Sequence, residues 1–146
     1  MSGKLSSYYL CYTQNHNRIM KTTLKLEELA MFAISLYCFS QLPYAWWWFA
    51  AFFLTPDLSM LGYLANPKVG AMSYNIFHHK GLAIAIAAIG IVLASSAVIF
   101  AGILLFAHAA FDRMLGYGLK YSDSFTHTHL GYIGKATESE LTSEKV

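Results

Sequence analysis

The chain has 146 residues, of which 56 % are hydrophobic and 12 % are charged, and its formal net charge is +2. Soluble domains carry about 25 % charged residues, and a soluble domain of this length could not bury so much apolar surface. The small net charge and the absence of a long basic run argue against a nucleic-acid partner. We therefore expect a membrane protein with the lipid bilayer as its solvent.

The first segment, residues 1–23, is polar and mixed in composition, with Lys4, Arg18 and Lys21. It contains no apolar core followed by a small-residue cleavage site, so it does not resemble a secretory signal. Residues 1–19 contain no acidic residue, which leaves an organellar targeting segment open. Met20 is an alternative start that would make residues 1–19 an extension.

Apolar stretches separated by short connections predict transmembrane helices. Four are predicted, over residues 24–41, 45–65, 69–93 and 97–117. Pro56 lies inside the second, where it removes a backbone hydrogen bond and frees the carbonyl of Phe52, next to Asp57. The predicted fold is an all-α polytopic membrane protein, with four transmembrane helices in an antiparallel bundle over residues 24–121.

The tail, residues 122–146, has two parts. Its first part mixes aromatic side chains with His127 and His129, and we expect it to fold back onto the membrane face. Residues 135–146 are charged and polar, and we expect them to be disordered.

The basic residues indicate the orientation of this bundle. None of the 10 lysines and arginines lies near the connections at 41–45 and 94–97, so all fall on one side. The positive-inside rule makes that side cytoplasmic in an inner (cell) membrane, or the matrix in an organellar inner membrane. Both termini are then inside. Lys80, about three turns into its helix, must snorkel or face a wet region.

The same topology brings polar side chains of all four helices to one depth near the inner boundary. His108 and Asp112 share a helix face because they are four residues apart. Ionisable groups inside a membrane helix are costly and usually mark a site. The predicted layer contains Glu27, Asp57, Asn75, His78, His108 and Asp112.

Imidazole and carboxylate groups together suit a divalent metal such as zinc, iron or manganese. The candidate ligands are Asp57, His78, His108, Asp112 and His129. A metal-dependent hydrolase acting on a lipid or lipid-like substrate would use Asp57, Ser59, His108 and Asp112 in catalysis. The residues expected to support the ligands or to bind the substrate are Glu27, Asn75, Arg113, Tyr117 and Lys120.

Two other interpretations stay open. In the first, Arg113 pairs with Asp57 or Asp112, and the polar layer locks the helices of a non-catalytic accessory or assembly subunit of a larger membrane complex. Buried charge pairs are poor stabilisers compared with apolar packing, so this interpretation leaves many polar groups unexplained. In the second, Arg113, Lys120 and Lys68 bind an anionic lipid head group or a quinone-like ligand.

Several motifs together resemble a known family. They are Leu26-Glu27, Pro56 to Tyr63, Tyr74-Asn75 with His78, His108 with Phe111-Asp112-Arg113, Gly116 to Tyr121, and Thr128 to Gly131. They resemble the small bacterial integral-membrane family catalogued as domain of unknown function 4260, over about residues 21–134. The resemblance implies a four-helix membrane protein and no particular activity. His127 departs from the acidic residue of the family's tail motif.

At the level of site chemistry alone, the polar layer is also similar to membrane-embedded metal hydrolases of the alkaline ceramidase and progestin-receptor superfamily. Those proteins have more helices than the four predicted here. The analogy implies that Asp57, His78, His108 and Asp112 would hold a metal, and that the substrate would be an ester or amide.

Overall fold

A computed structural model describes residues 2–133. Five α-helices and one 3₁₀ helix are followed by a two-stranded hairpin. Their bounds are α1 Ser2–Ser40, α2 Trp46–Phe52, the 3₁₀ helix Thr55–Leu64, α3 Pro67–Phe77, α4 Lys80–Val92, α5 Ser96–Leu115, β1 His127–Thr128 and β2 Gly131–Tyr132. The disorder expected for residues 135–146 lies outside the described part of the chain.

Helix α1 is one uninterrupted helix that includes nearly all of the polar segment predicted at residues 1–23. It ends at Ser40, within one residue of the predicted end of the first span. The following turn contains Leu42 and Pro43, and the amide of Leu42 donates to the carbonyl of Phe39.

The second predicted helix is broken at Pro56, as the sequence indicates. Helix α2 ends at Phe52, and the chain continues as a 10-residue 3₁₀ helix that has Pro56 in its first turn. The hydroxyl of Thr55 donates to the freed carbonyl of Phe52 at 2.7 Å. Runs of 3₁₀ helix longer than about four residues are uncommon and often mark functional positions.

The third predicted helix, residues 69–93, is not continuous, and this part of the prediction was wrong. It is divided into α3 and α4, whose axes differ by 46°. The reason is a cap that the hydrophobic pattern does not show. The Nδ1 atom of His79 accepts from the amide of Leu82 at 3.1 Å, so α4 starts anew and leaves His78 at the break.

Helix α5 lies between α1 and α4 and packs against both. The α4–α5 contact is close because glycines face backbone atoms across it. A Cβ atom on Gly102 would lie 2.5 Å from the amide nitrogen of Ala87, and one on Gly90 would lie 2.5 Å from that of Ile99. The small residues of the third predicted helix thus allow close helix approach, as the sequence indicates.

At the end of the bundle away from the termini, the core is aromatic and aliphatic. It is built around Phe39 and Phe49 with Leu104 and Ala107 of α5. The ring centroid of Phe39 lies 5.0 Å from that of Phe49 and 5.5 Å from that of Phe100. This cluster fixes α1, α2 and α5 relative to one another.

The tail folds back onto α3 and the 3₁₀ helix. Strands β1 and β2 form an antiparallel hairpin, which the sequence analysis did not predict. The ring of Phe125 contacts that of Tyr63 edge-on, with centroids 5.2 Å apart. The side-chain amide of Asn75 accepts from the amide of Lys120 at 2.7 Å and donates to its carbonyl at 2.8 Å.

Within the described residues, α5 alone is long and apolar enough to cross a bilayer, and the bent pair α3 and α4 qualifies as a second span if the two helices are taken together. Helix α1 carries Lys25, Glu27 and Glu28 in its predicted span, and α2 has only 7 residues. The architecture is therefore a mostly helical bundle with one clear candidate span.

Candidate metal centre

Four ionisable side chains meet in the interior of the bundle. Asp57 comes from the 3₁₀ helix, His78 from the break between α3 and α4, and both His108 and Asp112 from α5. Each offers one nitrogen or oxygen atom, and these four atoms all lie within 4.8 Å of one another. The predicted convergence of these four residues is therefore found in the structure, and we call them the His/Asp cluster.

The spacing inside the His/Asp cluster is that of a small coordination shell. His78 Nε2 lies 3.4 Å from Asp112 Oδ2 and 3.6 Å from Asp57 Oδ1. His108 Nε2 lies 3.2 Å from Asp57 Oδ1 and 3.8 Å from Asp112 Oδ1. Ligand atoms bound tetrahedrally at zinc–ligand distances of 2.0–2.1 Å are about 3.3 Å apart. The measured separations bracket that value.

The imidazole of His78 is oriented by the end of α3. Its Nδ1 atom lies 2.8 Å from the carbonyl oxygen of Tyr74. Because a carbonyl only accepts, Nδ1 carries the proton, and Nε2 of the neutral ring presents its lone pair to the carboxylates. The Tyr74 ring stacks on the imidazole, with centroids 3.7 Å apart and planes at 15°.

Tyr74 also holds a second member of the cluster. Its hydroxyl donates to Asp112 Oδ2 at 2.7 Å, and its side chain is fully buried. The sequence analysis did not name Tyr74 as a site residue. The available signal was its spacing, since a residue four positions before His78 lies on the same face of α3.

The last turn of α5 carries Asp112 and the adjacent Arg113. Gly116 has φ of 102° and ends the helix in the left-handed conformation, which glycine adopts at little cost. The amide of Tyr117 then donates to the carbonyl of Asp112 at 2.8 Å. Asp112 therefore lies in the last turn of a well-terminated helix.

The His/Asp cluster has more acceptors than donors. A neutral His78 ring turns a lone pair towards two carboxylates, and Nε2 has no hydrogen-bond partner among the described residues. Nδ1 of His108 also lacks one in that part of the chain. Buried acceptors that face one another are costly. A bound cation, or additional protons, would compensate the arrangement.

Access to the cluster is one-sided. The side chains of His78 and His108 are 3 % and 2 % exposed, and that of Asp112 is 13 % exposed, whereas that of Asp57 is 35 % exposed. Water or a small group can therefore reach the cluster from the Asp57 side, whereas the side with the two buried histidines is closed.

The family described as a domain of unknown function, DUF4260, matches residues 21–133. The chain belongs to the DUF4260 family. The resemblance that the motifs indicate is thus confirmed, and the match contains all four residues of the His/Asp cluster. No curated protein and no solved structure matches the chain.

In this DUF4260 protein, three further predicted residues lie beside the cluster and not in it. Arg113 donates from Nη2 to the carbonyl of His78 at 3.4 Å. Asn75 binds the backbone of Lys120, as described above. The buried Lys120 ammonium donates to the carbonyl of Phe125 at 2.8 Å and lies 3.7 Å from the centroid of the Phe125 ring. Burial lowers the pKa of Lys120.

The side chains of the remaining predicted residues form no hydrogen bond or ion pair with the His/Asp cluster in the described part of the chain. His129 is in the tail, where its Nδ1 accepts from the amide of Leu119 at 2.8 Å. Glu27 is exposed on α1, and Tyr117 is 42 % exposed. Ser59 is buried, and its hydroxyl has no partner among the described residues.

One ion pair of the DUF4260 chain was not foreseen. Glu28 accepts from the ammonium of Lys80, joining α1 to the start of α4. Lys80 also contacts Met31, with Nζ 3.2 Å from the sulfur. Lys80 was predicted to snorkel or to face a wet region, and no partner was predicted for it. Glu28 and Lys80 instead neutralise each other in a partly buried position.

Proposed function

We propose that this DUF4260 protein is an integral membrane protein and a metal-dependent hydrolase whose substrate is a lipid or lipid-like molecule. The membrane assignment is supported by the apolar surface. Leu64 and Val92 are both 85 % exposed, and Ile91 and Leu93 are 67 % and 65 % exposed. Monomeric soluble proteins rarely expose so many large apolar side chains to this degree.

Four spans account for the sequence and the helical order. They are the second half of α1, α2 with the 3₁₀ helix, α3 with α4, and α5. Broken helices are tolerated at membrane depth where the break faces protein, and both breaks here border the His/Asp cluster. The Glu28–Lys80 pair neutralises the two charges that lie deepest on α1 and α4. By the positive-inside rule, the distribution of basic residues supports both termini on the inner side of the membrane.

The metal assignment rests on one observation, which is the separation of the donor atoms. Two imidazole nitrogens lie 3.2–3.8 Å from carboxylate oxygens of Asp57 and Asp112, and these separations are close to the edge length of a tetrahedral shell. Zinc fits this set best because it favours four nitrogen and oxygen ligands at that size. His78 Nε2, His108 Nε2 and one oxygen each of Asp57 and Asp112 would hold it, and catalysis would require a fifth position, on the exposed Asp57 side, that is open to water.

A metal of this class polarises a carbonyl or phosphoryl oxygen and lowers the pKa of water. The protein's own groups would orient the site. Tyr74 fixes His78 through its carbonyl and Asp112 through its hydroxyl, as outer-shell partners do in metal sites. Asp57 borders the open side, where the substrate's reacting group would enter. A site near the inner ends of four spans is reached most directly by a molecule of the bilayer.

Elemental analysis of the detergent-purified protein tests the metal assignment. We expect about one equivalent of zinc in the wild type and its loss in both His78→Ala and His108→Ala. His129→Ala is the matched control, because that histidine is outside the His/Asp cluster and should not change the metal content. Circular dichroism of each variant shows whether the helices are retained.

Other outcomes would contradict the proposal. Wild-type protein that is free of metal, together with its purification as part of a larger complex, would favour the non-catalytic accessory subunit. Loss of metal in His129→Ala but not in His78→Ala would mean that a different set of ligands operates.

A further inference from the structure

A cavity near the His/Asp cluster has the character of an anion site. Its volume is about 440 Å³, and it is bounded by α1, the end of α5 and the tail. Three basic side chains line it, namely Lys21, Lys25 and Arg113, and within residues 2–133 no acidic side chain does. We call it the basic cavity.

Two lysines of the basic cavity have no ion-pair partner among residues 2–133. Lys21 and Lys25 are four residues apart on α1, so they share a face, and like charges at this spacing destabilise a helix. Neither forms an ion pair with any described side chain. Glu28, the acid that follows on the same helix, is already paired with Lys80. An external anion would relieve this repulsion.

A further donor is available in the tail. His129 lines the cavity, and its Nδ1 accepts from the amide of Leu119. The neutral ring therefore carries its proton on Nε2, which is free to donate. The structure thus gives His129, predicted as a metal ligand, a place among donors that suit an anion.

Adjacent residues of α5 connect the basic cavity to the His/Asp cluster. Asp112 belongs to the cluster, and the next residue, Arg113, lines the cavity while it donates to the carbonyl of His78. A ligand bound by Arg113 would therefore contact the residue that directly follows Asp112 of the His/Asp cluster.

The other walls of the cavity are apolar and half-exposed. Met20, Leu24 and Leu130 are 53 %, 47 % and 40 % exposed. A cavity with cations on one side and aliphatic side chains on the other suits an amphiphile. We propose that it binds the phosphate-bearing head group of an anionic lipid of the inner leaflet. This inference rests on the proposed membrane location, and it would hold the polar end of the substrate, but it does not require a metal.

Lipid retention by the full-length protein tests this inference. Native mass spectrometry would count phosphatidylglycerol and phosphatidylcholine molecules that stay bound as detergent is removed. We expect the wild type to retain phosphatidylglycerol preferentially, and the double variant Lys21→Gln/Lys25→Gln to bind it roughly tenfold more weakly or worse. Lys68→Gln is the matched control, since Lys68 is an exposed lysine that lines a different cavity.

The possible results separate this inference from the metal assignment. His108→Ala should lose metal and still retain phosphatidylglycerol, because the cation set of the cavity is intact. Equal retention of the two lipids, or an equal loss in Lys68→Gln, would overturn the inference. Competition by inorganic phosphate at the affinity of the lipid would also overturn it, since the cavity would then bind phosphate without need of the acyl chains.

Discussion

At the scale of single residues, Tyr74 is the side chain on which the geometry of the His/Asp cluster depends most. Its backbone carbonyl sets the tautomer of His78, its ring stacks on that imidazole, and its hydroxyl holds Asp112. One residue thus orients candidate ligands from two elements. Such outer-shell contacts keep a metal site assembled before the metal arrives.

Tyr74→Phe should keep the ring stacking and remove only the hydrogen bond to Asp112. We expect metal affinity to fall about 10–100-fold, as is usual when an outer-shell partner is lost. Competition with a chelator of known affinity measures the change. Tyr63→Phe is the control, because the Tyr63 hydroxyl has no hydrogen-bond partner among the described residues. Equal affinities in the two variants would show that the Tyr74 hydroxyl does not orient the ligand.

How far the cluster can be predicted from sequence also depends on single residues. Asp57, His78 and Asp112 are conspicuous because ionisable groups are rare in apolar helices, and the fold-back of the spans sets them at one depth. Tyr74 is inconspicuous, since a tyrosine is ordinary in such a helix. His129 was predicted as a ligand because it is a histidine. It lies in the tail hairpin, away from the cluster, and no hydrophobic periodicity in the sequence predicts that hairpin.

At the scale of elements, the Glu28–Lys80 ion pair joins α1 to the start of α4. The side chains of Lys80 and Glu28 are only 13 % and 16 % exposed. Removing one partner of such a pair leaves the other charge buried without compensation. The pair therefore contributes little net free energy when it forms, but losing one partner is strongly destabilising. That cost keeps the two helices in register.

Glu28→Gln should destabilise the protein by about 2 kcal/mol, which is less than the loss for a fully buried pair because both groups keep some exposure. Thermal unfolding in detergent measures the loss. The control is Glu27→Gln, an exposed change of the same chemistry on the neighbouring residue, which should stay within about 0.5 kcal/mol of wild type. The opposite ranking of the two variants would place the ion pair on Glu27.

The α4–α5 interface leaves no room for a side chain at Gly102. Gly102→Ala would bring a methyl group to within 2.5 Å of the amide nitrogen of Ala87, so the helices must separate. We expect a loss of about 1–3 kcal/mol, typical of overpacking, as a lower melting temperature. Ala101→Val, on the exposed side of the same helix, should change it little. A melting temperature of Gly102→Ala at or above that of wild type would disprove the close approach.

The helix breaks show what hydrophobic pattern can and cannot predict at this scale. The break at Pro56 can be predicted from sequence, because proline lacks an amide hydrogen whatever its surroundings. The break after Phe77 depends on the side-chain cap that His79 forms on the next helix. The hydrophobic pattern does not predict this cap. That second break is also what presents His78 to the cluster.

At the scale of the whole molecule, the distribution of charge and the fold agree on one polar end and one apolar end. The His/Asp cluster, the basic cavity and the tail lie towards the end that carries the basic residues. The opposite end holds the aromatic core around Phe39 and Phe49. The number of spans is harder to derive, because α1 mixes charged and apolar residues and α2 is short. We propose an orientation within the membrane from the charges alone, by the positive-inside rule.

This orientation predicts which residues are reached from each side of the membrane. In a protein with Cys11 and Cys38 replaced by serine, Gln41→Cys should react with a membrane-impermeant maleimide added outside intact spheroplasts, since Gln41 lies in the exposed α1–α2 connection. Asp123→Cys, in the exposed tail, should react only after the membrane is opened. Labelling of both cysteines in intact spheroplasts would rule out an odd number of crossings between them. It would also remove the reason for placing the basic cavity against the inner leaflet.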